Sequence, residues 1–227
     1  MNVNRIYPVS DGDTLNSFRE LLDLWWQENK LDAILAPVEI SEPGVVRSTV
    51  ITNREDLSKV NPFAPVMLSN AARSAIQFSQ EYAGKNLAII VRPCELRALS
   101  HLTERAENPL NLSNMTIIGV DCLGTFTPRE FQEMVNTIAA EEITKKILYN
   151  ASAGGLQPQR YRTACHICDW PAPRGADFLI GILGVSNQDH LLVIANDEEA
   201  DHRLGIDTLA PNLATEYQVS HRETIIG

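Results

Sequence analysis

Hydrophobic and polar positions alternate along the chain with two different periods, one typical of helices and one typical of buried strands. Apolar side chains recur every three or four positions, as in amphipathic helices, over residues 15–26, 67–84, 94–105 and 127–148. Short continuous apolar runs, as in buried strands, cover residues 31–40, 45–51, 86–91, 115–120, 176–185 and 190–197. Because helices and strands alternate, the pattern predicts an α/β fold with a mixed, partly parallel sheet, flanking helices and a cysteine-bearing loop region.

The pattern shows no division into separate domains. No linker, repeat or low-complexity tract interrupts the 227 residues, and the hydrophobic fraction of 44% is sufficient for a core. We therefore predict a single α/β domain over residues 1–227. Residues 205–227 follow neither period and are predicted to form an irregular tail.

Charge narrows the classes of partner. The formal net charge is −10, and Lys and Arg are not clustered, so neither nucleic acid nor an anionic lipid surface is expected as a partner. The first residues lack the apolar segment of a signal peptide, and the longest apolar runs are too short to span a bilayer. The sequence thus predicts a cytoplasmic protein without a membrane span. In a reducing compartment, four cysteines are expected to be free thiols or metal ligands.

Two of the four cysteines occupy the same structural setting. Cys94 and Cys122 each lie just past the end of a predicted strand. If these strands are parallel neighbours, both thiols lie at the carboxyl edge of the sheet, where open α/β sheets bind their ligands. Cys94 also opens a predicted helix after Pro93, and we expect the positive end of the helix dipole to favour its thiolate.

The other two cysteines, Cys165 and Cys168, form a C-x-x-C motif. This spacing lets two thiolates converge on one metal ion or cluster from a tight turn. From the residues alone, four interpretations stay open: small buried hydrophobic side chains, structural zinc, an iron–sulfur cluster or a redox dithiol. The spacing favours a cluster, because zinc ribbons usually use two C-x-x-C motifs and a thioredoxin-type motif opens a helix after a first strand.

Charged residues adjoin the cysteines. Asp121 and Asp169 each neighbour a cysteine and are expected to accept hydrogen bonds from loop N–H groups. Arg92 and Arg97 would offset the negative charge of a cluster or pair with nearby acids. The sequence shows neither a general acid–base pair nor a nucleophile triad, so no catalytic residue is assigned, and electron transfer fits the chain better than hydrolysis.

Three segments together resemble a known family. They are VRPCELRAL at 91–99, IIGVDCLGTFTPREF at 117–131 and CHICDWPAPRGADFLIGILG at 165–184. The combination is similar to the beta-subunit family of deazaflavin-coenzyme-reducing hydrogenases and formate dehydrogenases. Members of that family carry a PC-x-x-x-AL loop, a DC-x-G-T-like loop and a C-x-x-C-D segment. The resemblance extends over about residues 30 to 200.

The resemblance implies cofactors and their ligands. Cys94, Cys122, Cys165 and Cys168 fall on the cysteine positions of the family. They are therefore expected to bind one 4Fe-4S cluster. The family typically also carries FAD and passes electrons between the flavin, a deazaflavin or nicotinamide partner and the cluster, so FAD is the second cofactor that the resemblance implies.

The chain departs from the family pattern at two segments that the family uses near the flavin. The family usually begins with a glycine-rich stretch, for which this chain has only SDGDTLNSF at 10–18. The usual Ser-Lys-Tyr-like stretch is replaced by NPFAPVM at 61–67. Because glycine and small hydroxyl residues let a backbone approach flavin or phosphate closely, no flavin-binding residue is assigned.

The function that the resemblance implies is that of an oxidoreductase subunit, which passes electrons between a 4Fe-4S cluster and a flavin or partner-bound cofactor. The expected partners are redox subunits of a hetero-oligomeric complex of the hydrogenase, formate dehydrogenase or heterodisulfide-reductase type. The alternative is a structural or adaptor subunit whose four-cysteine zinc or cluster site braces the fold. The Trp25–Trp26 pair is expected to belong to the core or to a subunit interface, and the acidic run at 196–201 to be a solvated loop or a docking surface for a basic partner subunit.

Overall fold

Eight strands form a single mixed sheet in the computed structural model, which describes residues 2–105, 114–152 and 160–226. In order across the sheet, the strands are β3 (Val46–Ile51), β2 (Ala33–Glu39), β4 (Leu87–Val91), β5 (Met115–Val120), β6 (Phe178–Gly181), β7 (His190–Ala195), β1 (Val3–Pro8) and β8 (Asn212–Leu213). The central strands β2, β4, β5 and β6 run parallel, and the strands outside them pair antiparallel. The predicted α/β class with a mixed, partly parallel sheet is confirmed.

Helices cover both faces of this sheet. They are α1 (Thr14–Asn29), α2 (Ala71–Glu81), α3 (Pro93–Arg105), α4 (Pro128–Val135), α5 (Ala140–Ser152), α6 (Thr163–His166), α7 (Glu198–Arg203), α8 (Ile206–Leu209) and α9 (Glu216–Ile226), with a 3-10 turn at Arg54–Lys59. Ile34 and Ile90 face a larger core with α1 and α5, whereas Leu35 and Ile89 face a smaller core with α2 and α3. Within the three described ranges, no helix combines the length and the apolar character that crossing a bilayer requires.

The strand β1 is not visible in the sequence pattern. It lies between β7 and β8 and pairs antiparallel with both, beginning with Val3 opposite Ala195. Most of its residues are only half-buried, and the polar Asn4 and Arg5 interrupt the apolar alternation. The strand is therefore specified by pairing with two neighbours more than by its own hydrophobicity.

Two helices replace the single helix predicted over residues 127–148. The first, α4, begins with the capping box that the sequence indicates, in which Thr127 and Glu130 each accept a hydrogen bond from the backbone N–H of the other. After α4, the Thr137 hydroxyl donates to the Met134 carbonyl at 2.7 Å. This local bond competes with helix continuation, and α5 begins only at Ala140.

The prediction of an irregular tail over residues 205–227 is wrong. Helix α8, strand β8 and helix α9 all lie within this segment. The pattern does not reveal α9 because the helix has no apolar stripe, and its buried residue is a charged one, Arg222. Tertiary contacts, and not an amphipathic pattern, therefore specify this helix.

Candidate metal centre

Cys94 and Cys122 lie at the carboxyl edge of the sheet, as the sequence predicts. Strands β4 and β5 are parallel neighbours, with Val91 opposite Gly119 near their ends. Cys94 occupies the first turn of α3, directly after β4, and Cys122 follows the end of β5. The two thiols therefore leave adjacent strands on the same side.

Hydrogen bonds bring the C-x-x-C motif to this edge by tying it to the Cys122 loop. Cys165 lies in the short helix α6, and its sulfur is 3.3 Å from the Thr125 hydroxyl. The Arg162 guanidinium donates to the same hydroxyl at 2.8 Å, and the Arg162 N–H donates to the Thr125 carbonyl at 2.9 Å. Beyond the motif, the Cys122 N–H donates to the Pro171 carbonyl at 2.8 Å. Both ends of the motif are thus fastened to the loop that carries Cys122.

The segment after the motif packs across β5 before β6 begins. A Cβ at Gly119 would lie 2.6 Å from the Pro173 ring, so the missing side chain at Gly119 lets the segment lie against the strand. Asp177 then joins the segment to β5, because its N–H donates to the Ile117 carbonyl at 2.9 Å and its carboxylate accepts from the Ile117 N–H at 2.7 Å. The parallel strands themselves therefore set the position of the motif.

The four thiols are electrostatic neighbours. Burial raises the pKa of Cys94, and the nearby Glu95 and Cys168 raise it further. Although part of Cys122 remains exposed, its thiol is surrounded by protein, and this burial raises its pKa to about 11, with additional contributions from Cys94 and Cys165. These pairwise effects connect Cys94 with Cys168 and Cys122, and Cys122 with Cys165, so the four predicted cysteines lie in one region at this edge of the sheet. Cys168, the exposed member, lies on the solvent side.

These shifts contradict the expectation that Cys94 is an activated thiolate. The start of α3 favours a thiolate, but burial and the Glu95 carboxylate raise the pKa of the thiol. Two groups oppose this trend. Arg92 lowers the pKa of both Cys94 and Cys122, and a hydrogen bond from the Gly124 N–H lowers that of Cys122. A metal bound here would therefore have to displace the thiol protons, as metals generally do at cysteine sites.

Arg92 is a buried cation near Cys94 and Cys122. Its guanidinium donates to the carbonyls of Pro62, Ala64 and Val66 at 2.6–3.1 Å. Its backbone N–H donates to the Glu95 carboxylate at 3.0 Å. Because the guanidinium is held by neutral carbonyls, its positive charge acts on the neighbouring cysteines.

Asp121 fixes the Cys122 loop, as predicted, and has a partner that the sequence does not reveal. Its carboxylate accepts hydrogen bonds from the N–H groups of Ile182 and Leu183 at 2.8 and 2.9 Å. Two guanidinium nitrogens of Arg222 donate to the same carboxylate at 2.5 and 2.7 Å. Asp169, for which the same role is predicted, is exposed.

Exposed apolar and cationic side chains lie within the C-x-x-C motif and next to Trp170, two positions after Cys168. Ile167 is 74% exposed and Trp170 is 47% exposed. The guanidinium of Arg174 lies 4.9 Å from the Trp170 ring centroid, and that of Arg97 lies 5.8 Å from it. These four residues are called the motif surface below. Arg97 thus contacts an aromatic ring in this arrangement.

The structure decides between the alternatives for the tryptophan pair, and it shows an exposed acidic run whose last residue is buried in an ion pair. Trp25 and Trp26 are 1% and 5% exposed, so they belong to the core. In the acidic run, Asp197 caps α7, and Asp201 is buried against Arg5 with an N–O distance of 2.6 Å. The exposed motif surface is therefore a better candidate for a partner than the buried tryptophan pair.

Four cysteine thiols are the type of ligand that an iron–sulfur cluster requires. Across residues 2–105, 114–152 and 160–226, no group of three or more His, Cys, Asp or Glu side chains is arranged to hold a metal ion. The four neighbouring thiols are nevertheless soft ligands that suit zinc or iron–sulfur clusters. In a 4Fe-4S cluster each thiolate binds a different iron, so the sulfurs surround a larger group than a single ion.

Three residues of the site are missed by sequence reasoning. Thr125 and Trp170 lie inside the cysteine-bearing segments, so their proximity to Cys122 and Cys168 was an available signal. Arg222 has no such signal, because it is separated from Asp121 by 101 positions.

Comparison with known proteins identifies a matching family and a relative of this chain. Residues 84–204, more than half of the chain, match the sequence family described as the C terminus of the coenzyme F420 hydrogenase/dehydrogenase beta subunit. The F420-dependent formate dehydrogenase 1 subunit beta of Methanococcus maripaludis is 29% identical over 194 residues, which covers 76% of this chain and 47% of that protein. The chain thus spans about half the length of this curated relative.

A solved structure shares the fold. A chain in the F420-reducing NiFe hydrogenase complex from Methanosarcina barkeri matches with a TM-score of 0.64 at 13% sequence identity. The match covers 99% of this chain and 88% of that chain. The mixed sheet and its flanking helices are therefore an architecture already seen in a hydrogenase complex.

Proposed function

Because the chain belongs to the coenzyme F420 hydrogenase/dehydrogenase beta-subunit family, we propose that it is an electron-transfer subunit of an oxidoreductase complex. Family membership confirms the resemblance inferred from the three cysteine segments. In this proposal, Cys94, Cys122, Cys165 and Cys168 bind one 4Fe-4S cluster, and electrons pass between it and a redox cofactor of a partner. The supporting observation is that cysteines from three loops lie at one edge of the parallel sheet and interact electrostatically in pairs.

The chain's own residues supply position and charge to this site. A bound cluster supplies reversible one-electron chemistry. The Arg92 guanidinium and the Gly124 N–H both favour the thiolate form of Cys122. The Thr125 hydroxyl lies 3.3 Å from the Cys165 sulfur, where it can donate to a thiolate. Hydrogen bonds of this kind orient ligands and tune the potential of a metal site.

The alternative is a structural or adaptor subunit, in which zinc or a cluster on the same cysteines only braces the fold. Zinc and iron–sulfur clusters both accept four thiolates. The exposed position of Cys168 favours the redox function, because an electron must travel a short path to the surface to reach a partner. A bracing site needs no such exposure.

The segment at 61–67, which the resemblance places near the flavin, does not form an open binding site for a flavin. Residues 61–66 are all buried by the protein itself. The carbonyls of Pro62, Ala64 and Val66 accept hydrogen bonds from Arg92, so they are already satisfied. FAD stays a prediction from the family, and no step of the proposed function passes through it.

The proposed partner is another redox subunit that docks on the motif surface. The Methanococcus maripaludis relative is named as a beta subunit, and the Methanosarcina barkeri structure is a complex. Exposed Trp170 and its two arginine neighbours belong to residue types that dominate binding at protein interfaces. A partner docked there would bring its redox centre next to Cys168.

Metal analysis after anaerobic purification tests the cluster. We expect about four irons and about four acid-labile sulfides per chain. Cys168→Ser should lose most of this iron and sulfide, because a hard oxygen ligand replaces a soft thiolate. Ile167→Ser is the matched control, since it alters an exposed position in the same motif and should retain the full complement.

The result also separates the two functions. Stoichiometric zinc without sulfide would refute the cluster and support the adaptor function. Full iron content in Cys168→Ser would show that this cysteine is not a ligand. A cluster that is present but cannot be reduced and reoxidised, as followed by electron paramagnetic resonance, would contradict electron transfer.

A further inference from the structure

The helix α9 is attached to the protein through a charged side chain. Of its 11 residues, Arg222 is the one that is buried. The Arg222 side chain is 3% exposed, and that of its partner Asp121 is 0% exposed. A helix that only needed to cover the sheet would present an apolar stripe, so this arrangement requires another explanation.

The contacts of Arg222 converge on the residue that precedes Cys122. Its two terminal nitrogens donate to both oxygens of the Asp121 carboxylate at 2.5 and 2.7 Å. One of these nitrogens also donates to the Leu183 carbonyl at 2.8 Å. The Asp121 N–H in turn donates to the Ile180 carbonyl at 3.2 Å. Asp121 is therefore held on its backbone and on its side chain.

Two glycines make room for this contact. A Cβ at Gly181 would lie 2.9 Å from the guanidinium carbon of Arg222. A Cβ at Gly184 would lie 2.7 Å from the Cα of Arg222. The absence of side chains at Gly181 and Gly184 therefore leaves the space through which Arg222 reaches Asp121.

Stability alone does not account for such a pair. A buried ion pair carries a desolvation cost that often cancels its attraction, and well-packed apolar residues are commonly as stable or more stable. What a two-pronged arginine–carboxylate pair provides is a fixed position and a cancelled charge. Both matter here, because the next residue is Cys122.

We propose that Arg222 is a positioning residue for Cys122. It holds Asp121 against the end of β6 and so fixes the backbone that presents the Cys122 thiol. It also cancels the negative charge of the Asp121 carboxylate beside the ligand. The effect on redox potential rests on the proposed function, whereas the positioning of Cys122 is a property of the chain itself.

The first experiment measures thiol accessibility in the full chain without metal. Each cysteine is alkylated with N-ethylmaleimide at fixed pH, and the separate rates are followed by mass spectrometry. In Asp121→Asn/Arg222→Met, which removes the pair without leaving an unpaired charge beside the thiol, Cys122 should react about tenfold faster, which corresponds to about 1.4 kcal/mol of local stability. The rate at the exposed Cys168 should stay unchanged and serves as the internal standard.

A matched control separates positioning from general destabilisation. Arg5→Met breaks another arginine–aspartate pair, Arg5–Asp201, which joins α7 to β1, two strands from β6. It should lower thermal stability without changing the Cys122 rate. If the double variant Asp121→Asn/Arg222→Met does not fold, Arg222→Lys replaces it, because lysine keeps the charge but cannot engage both carboxylate oxygens.

The second experiment measures the midpoint potential of the cluster-loaded protein. In Arg222→Met, the uncompensated Asp121 carboxylate should shift the potential to a more negative value, because added negative charge disfavours an added electron. The double variant Asp121→Asn/Arg222→Met removes both charges and should return the potential towards that of the unaltered chain.

The outcomes decide the two claims separately. An unchanged Cys122 rate in Asp121→Asn/Arg222→Met would overturn the positioning role. Equal potentials in all variants that retain the cluster would overturn the charge-cancelling role. If the unaltered chain binds no 4Fe-4S cluster, the proposed function fails, while the alkylation rates still decide whether Arg222 positions Cys122.

Discussion

Burial and specific contacts shift the pKa of Cys122 in opposite directions. Burial raises the pKa of the thiol to about 11, while Arg92 and the Gly124 N–H favour its ionised form. The Tyr161 ring packs over Gly124, and burial raises the pKa of Tyr161 to about 12, so this neighbour stays neutral. The site therefore resists a free thiolate and suits one that is neutralised by a bound metal.

This raised pKa predicts how the stability of the metal-free chain depends on pH. Below about pH 9, Cys122 is a thiol in both the folded and the unfolded chain and contributes no pH dependence. Between about pH 9 and about pH 11, the unfolded chain ionises first, so the free energy of unfolding falls as pH rises. The loss attributable to Cys122 approaches about 3 kcal/mol, from about two units at 1.36 kcal/mol each.

Urea unfolding at pH 8, 9, 10 and 11 measures this loss, with Cys122→Ala as the comparison. The alanine variant should lose less stability across the range than the unaltered chain. Parallel curves would show that the Cys122 thiol is not as buried as its surroundings indicate.

At the scale of elements, helix α9 and the turn after β6 approach each other too closely for a side chain between them. Gly184 has a φ of +68°, and a Cβ there would meet the Arg222 Cα at 2.7 Å. Gly84 has a φ of +78°, but a Cβ there would meet nothing within 4 Å. The two glycines therefore share the backbone conformation and differ in the space around them.

The difference between Gly84 and Gly184 predicts different losses of stability for their alanine substitutions. Gly84→Ala should lower the free energy of unfolding by about 1 kcal/mol, the cost of a left-handed conformation for alanine. Gly184→Ala should lower it by about 2 kcal/mol or more, because α9 must also move away. Chemical denaturation of both variants checks the difference. Equal losses would mean that α9 moves without cost and does not restrain the turn.

The sequence predicts those parts of the site that depend on local order. Cys94 and Cys122 could be placed at one edge because strand ends and parallel pairing follow from apolar runs and strand–helix–strand units. The attachment of α9 could not be predicted, because a charged residue in a polar helix gives no periodic signal for burial. The raised pKa of Cys94 was also unpredictable, since burial by distant segments outweighs the local helix dipole.

At the scale of the whole molecule, the motif surface differs from the rest of the protein. The chain has 29 acidic and 19 basic side chains, for a formal net charge of −10. Arg97 and Arg174 nevertheless flank the exposed Trp170 beside the exposed Cys168. A redox partner with an acidic docking surface would be attracted to this part of the protein and repelled by most others.

Small redox reagents of opposite charge test this local field. Arg174→Glu should slow oxidation of the reduced protein by an anionic iron chelate and speed oxidation by a cationic cobalt hexaammine. For a reagent of unit charge, a two-unit charge change about 10 Å away corresponds to about 0.8 kcal/mol in water, or about fourfold in rate, and the effect on the trivalent cobalt hexaammine should be larger. Both effects should shrink at high salt.

The control is Arg47→Glu, an exposed arginine on β3, four strands away from β6 in the sheet order. It should leave both rates close to those of the unaltered chain. If Arg47→Glu and Arg174→Glu behave alike, electrons do not leave the protein through the motif surface.

The strand β1 pairs with segments that lie far from it along the chain. Val3 lies opposite Ala195, and Arg5 lies opposite Leu213, so this strand leaves the ribosome long before either of its partners. At typical elongation rates this interval is roughly ten seconds or more. During that time the strand exposes unpaired N–H and carbonyl groups, which can pair with other chains. We therefore expect the sheet to close only after β7 and β8 have emerged, and nascent-chain chaperones to influence the yield of this protein.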